Sequence, residues 1–97
     1  MLHIVNKSPF QNNALESCLR FLSNDDTVIL IEDGVYAAMP GTEKSGLIES
    51  VMKNNKVYAI SADLSARGID QIMGQITRVD YEAFIDLIEA QPTQSWL

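Results

Sequence analysis

The chain has 97 residues, 46% of them hydrophobic and 21% charged, with 13 acidic against 7 basic side chains and a net charge of −6. That balance describes one small globular domain over residues 1–97 and excludes a disordered tail, a collagen-like fibre and a disulfide scaffold. The longest apolar run, residues 27–31, falls far short of the ~18 residues a membrane span needs, and no basic stretch followed by an apolar block opens the chain, so a cytoplasmic protein is expected.

Leu2-His3-Ile4-Val5-Asn6 reads as a first strand, stopped before Pro9. A helix then starts near Ala14, with Asn13 as cap and Glu16 completing a capping box. Leu15, Cys18, Leu19 and Leu22 form its apolar stripe. After the polar turn Ser23-Asn24-Asp25-Asp26, residues 27–32 form a second strand, apolar without alternation, as in a parallel sheet covered on both faces.

Asp33-Gly34 ends that strand, and residues 35–39 suit one short helical turn before Pro40-Gly41. A helix over 43–53 would turn Leu47, Ile48, Val51 and Met52 inward, although Gly46 weakens it. Residues 56–61 form a third strand, and Asp63 caps a short helix closed by Gly68. A fourth strand spans 76–79. Asp80 caps a last helix over 81–90, with Phe84, Leu87 and Ile88 inward, and Pro92 ends it. The tail Thr93-Gln94-Ser95-Trp96-Leu97 turns from polar to apolar and is expected to dock on its own domain or on a partner. Strands alternating with helices predict an α/β fold. The expected architecture is a small three-layer sandwich of flavodoxin or Rossmann type, with a mainly parallel sheet of four to five strands.

In such a sheet ligands bind beyond the carboxyl ends of the strands. Neither GxGxxG nor GxxxxGK[ST] occurs there, which argues against nucleotide binding, and no cofactor is implied. One histidine and one cysteine cannot build a metal site at any familiar spacing. Asp33, Asp63 and Asp80 could converge at that edge; the plainer reading is that each caps the helix that follows. His3 reads as a half-buried or edge residue without a catalytic partner. Tyr36 with Ala37-Ala38 reads as helix–sheet packing or a close-contact surface. Cys18, the one cysteine, is either an inert core thiol or a sulfur carrier that would need exposure and a nearby cation.

The ordered set Leu2-His3, Asn6-Lys7-Ser8-Pro9-Phe10, Ile31-Glu32-Asp33-Gly34-Val35, Ala37-Ala38, Val57-Tyr58-Ala59, Asp63-Leu64, Ala66-Arg67-Gly68, Asp80-Tyr81, Phe84 and Trp96 resembles the TusB/DsrH family of small sulfur-relay subunits, within the DsrE-like fold. The resemblance runs from end to end. It implies a heterohexamer with TusC/DsrF-like and TusD/DsrE-like paralogues. In the Tus branch this complex passes persulfide sulfur from a TusA-like donor to a TusE-like acceptor for thiolation of the tRNA wobble uridine. In the Dsr branch similar proteins traffic sulfur during sulfur oxidation. The principal sulfur-carrying cysteine belongs to the TusD/DsrE-like subunit. DsrH-type members are similar in carrying a first-helix cysteine, which makes Cys18 the candidate persulfide carrier here.

Two functions therefore stand against each other. One is a relay subunit without independent catalytic activity, its thiol either used or not. The other is a pure interaction module that self-associates when isolated, because faces built for partners carry apolar area.

Overall fold

The computed structural model describes residues 1–96. In chain order it contains β1 (Leu2–Val5), α1 (Ala14–Arg20), β2 (Thr27–Leu30), a 3-10 helix (Glu32–Ala38), α2 (Ser45–Val51), β3 (Lys56–Ile60), α3 (Ser61–Ala66), β4 (Thr77–Val79), α4 (Tyr81–Ala90) and β5 (Thr93–Trp96). The five strands form one sheet in the order β4-β3-β2-β1-β5, and every neighbouring pair is parallel. The expected α/β sandwich is therefore what the chain forms.

The connections decide how its layers are filled. Crossovers between parallel strands are right-handed, so a chain that lays β1 to β4 in one direction keeps its connecting helices on one face. The last connection runs back across the sheet to place β5 beside β1, which puts α4 on the other face. The packing follows that rule. Val5, Val28, Leu30, Val57 and Ala59 meet Leu15 and Cys18 of α1, Val35 of the 3-10 helix, Ile48 of α2 and Leu64 of α3. The alternate residues Leu2, Ile29 and Ile60 cluster with Ile4, Ile31, Tyr58 and Val79, and the helical residues packed there are Phe84 and Leu87 of α4. One sheet face carries four helical segments and the other carries one.

Several local expectations are corrected. The tail is a strand as far as Trp96, with Leu97 outside the described residues: β5 pairs with β1 in the register Leu2 with Thr93 to Val5 with Trp96. The α1 capping box does not form. Asn12 Oδ1 accepts the Ala14 N–H at 2.6 Å, Asn13 makes no side-chain cap, and Glu16 turns to the Lys44 ammonium instead. Strand β2 ends at Leu30, because Glu32 enters the 3-10 helix with a positive φ of 48°. α2 is shorter than 43–53; Ile48 is buried, but Leu47 faces outward. Ile88 of α4 is likewise exposed, since a helix lying on one sheet face buries a single stripe. Among the described residues, no helix is long and apolar enough to cross a membrane.

Candidate functional site

Cys18 sits in the middle of α1 and faces the sheet, fully buried and unbonded to another sulfur. Apolar surroundings favour the neutral thiol over the thiolate. Burial, with a smaller push from the Asp26 charge, raises its pKa from 9.0 to about 12. Among the described residues no cation acts on it: Arg20 lies in the same helix, but the charge acting on the thiol, that of Asp26, is negative.

Next to this core a polar cluster links the starts of β1 and β2 to the end of β5. His3, read from the sequence as half-buried or at an edge, is buried. Its Nε2 lies 2.9 Å from Asp26 Oδ2, and its Nδ1 accepts the Trp96 indole N–H at 3.1 Å. An indole nitrogen can only donate, so the imidazole proton resides on Nε2 and is given to Asp26. Asp26 also accepts the Ser23 amide and pairs with the N-terminal ammonium, both at 3.1 Å. These bonds, the His3 contact foremost, hold its carboxyl at about 2, below the ordinary 3.8, against the opposing effect of burial. Phe21, 70% exposed, leans on Trp96 with ring centroids 5.6 Å apart. Met1, Phe21, Gln94 and Trp96 wall an open cavity of about 560 Å³ with His3 and Asp26 at its base.

At the opposite edge, beyond the carboxyl ends of the strands, Arg67 gathers two of the three expected carboxylates. Its Nε donates to Asp33 Oδ1 at 2.9 Å, and its terminal nitrogen donates to the Asp63 carbonyl at 3.2 Å. Asp63 does not cap α3. Its Oδ2 accepts the Glu32 N–H at 2.8 Å and so fixes the turn out of β2. Asp33 does not cap the 3-10 helix either. Asp80 does cap α4, accepting the Ala83 N–H at 2.9 Å. The Tyr81 hydroxyl sits 3.4 Å from Asp63, whose charge raises the phenol pKa. Tyr36, in the 3-10 helix, packs against the core. The residues that sequence reasoning passed over are Asp26 and Phe21, while Arg67 entered it only within the Ala66-Arg67-Gly68 motif, with no ion pair foreseen. Asp26 stood in a turn motif and gave no other signal.

Neither edge assembles a nucleophile with a base, and no group of three or more metal-ligating side chains occurs among the described residues. The chain offers surfaces: a carboxylate-and-arginine edge, an aromatic cavity, and a helix alone on its sheet face.

The DsrH-like protein family model matches residues 7–94. Protein TusB of Escherichia coli K12 is 38% identical over 96 residues, covering 97% of both chains. Protein TusB of Erwinia tasmaniensis is 40% identical over the same span. The crystal structure of the YchN protein of Escherichia coli superposes with a TM-score of 0.83 over 97% of each chain at 16% identity, a likeness of fold. The solution structure of Tm0979 from Thermotoga maritima follows with a TM-score of 0.64, 27% identity and 94% of each chain covered. A family match over nearly the whole chain, with relatives of equal length, makes this protein a member of the DsrH-like family.

Proposed function

We propose that this chain is a non-catalytic subunit of a cytoplasmic sulfur-relay complex, built with TusC/DsrF-like and TusD/DsrE-like paralogues into a heterohexamer. The complex passes persulfide sulfur from a TusA-like donor to a TusE-like acceptor. The observation that carries the reading is the identity to proteins named TusB along the full chain. The same names favour tRNA wobble-uridine thiolation over the sulfur-oxidation branch. An acidic chain of net charge −6 fits a subunit that does not itself meet the tRNA.

Within that relay Cys18 is the candidate carrier, and its burial argues for the alternative. A persulfide on Cys18 would have to form on a thiol held neutral among Val5, Leu15 and Val28, and a partner thiolate would have to reach it through α1. The chain then contributes the surfaces that hold its partners, with the thiol packing the core.

The test is intact-mass analysis of the complex, co-purified with both paralogues, after incubation with a persulfide donor and alkylation. Sulfur is expected on a partner and none on this chain. An added sulfur here, lost in Cys18→Ala, would make Cys18 the carrier.

A further inference from the structure

α4 is the one helix on its sheet face, and none of its residues is fully buried. Phe84 and Leu87 point at Leu2, Ile29 and Ile60. A second apolar stripe, Tyr81, Ile85 and Ile88, lies beside the first and is 52%, 52% and 37% exposed. The spacing i, i+4, i+7 puts these three side chains in one line along the helix. Glu82, Asp86 and Glu89 run along the outer border of that line, and α4 contains neither Lys nor Arg. An exposed apolar line joined to a core stripe is costly to leave in water, and it recurs where another protein packs.

The charge pattern selects the occupant. A second copy laid on this helix would bring three carboxylates against three more, on a chain already at net −6. An anionic membrane or a nucleic acid would be repelled in the same way.

We infer that the Tyr81–Ile85–Ile88 line of α4 is the docking face for a partner subunit whose contact surface is apolar and rimmed by lysine or arginine. The inference rests on the relay-subunit reading and names the surface that assembly uses. Burying the isoleucines supplies most of the affinity, while the carboxylates set orientation and encounter rate.

Two variants test it in co-expression with the TusC-like and TusD-like paralogues, with circular dichroism as a check on folding. Ile85→Ser with Ile88→Ser removes the apolar line. Glu82→Lys with Asp86→Lys and Glu89→Lys reverses the border and leaves the line intact. Each is expected to weaken assembly by about tenfold or more, the second most strongly at low salt. Assembly of both variants at wild-type strength overturns the docking face and leaves the relay reading standing. Failure of the wild-type chain to assemble overturns the relay reading and the docking face together. Sedimentation of the isolated chain supplies the third arm: dimerisation abolished by Ile85→Ser with Ile88→Ser assigns the face to a second copy and overturns the charge argument.

Discussion

Asp26 ties three separate segments of the chain through one side chain. It joins the N-terminus, the turn before β2, and, through His3, the indole of Trp96. Its carboxyl titrates at about 2 in the folded chain against the usual 3.8. A carboxyl depressed in the folded state stabilises the fold above its unfolded value, and that contribution disappears as the pH falls through the folded one. The melting temperature should therefore drop between about pH 4 and pH 2. Asp26→Asn should flatten that part of the profile, as followed by thermal melts monitored by circular dichroism. An Asp26→Asn profile as steep as the wild type's would show that other carboxyls govern acid unfolding. The Cys18 stripe position was readable from spacing, but the carboxylate whose charge acts on the thiol, the histidine tautomer and the indole bond were not. They join residues as distant in sequence as His3 and Trp96, and no local pattern encodes such a pairing.

Elements differ in how firmly local sequence determines them. The Asp80 cap of α4 forms as read, because an N-cap needs only its own side chain and the amide three residues on. The Asn13–Glu16 box fails because Lys44 of a distant segment draws Glu16 away, and Asp63 is drawn from the α3 start to the Glu32 amide. Two glycines show the same division. An added Cβ at Gly34 would lie 2.2 Å from the Val5 carbonyl oxygen, the group that also receives the Ile31 N–H. There the turn out of β2 is pressed against the end of β1. At Gly46 in α2 nothing lies within 4 Å of the added Cβ. Gly34→Ala should cost roughly 2–3 kcal/mol, whereas Gly46→Ala should gain about 0.5–1 kcal/mol. Urea unfolding separates them: the midpoint should move down for the first and up for the second, with the slope unchanged.

At the scale of the molecule, β5 closes the edge beside β1, and Trp96 ties that edge to His3 and to the core. If the last strand is part of one cooperative unit, the sole tryptophan reports on global unfolding. Fluorescence and far-ultraviolet circular dichroism should then give coincident denaturation curves. An earlier fluorescence transition would show β5 opening alone, as weakly covered edges do. The sequence by itself determined the alternation of strands and helices, the apolar stripe of α1, the α4 cap and the family, since each lies in contiguous residues or in an ordered set of short motifs. Only the tertiary structure decided that the polar tail is a strand, that α4 stands alone on its sheet face, and that Cys18 is sealed beneath α1. Thr93 to Trp96 become a strand because β1 offers them an unpaired backbone edge. The return of the chain across the sheet after β4 to a parallel β5 beside β1, a property of the whole sheet, leaves the second stripe of α4 facing outward.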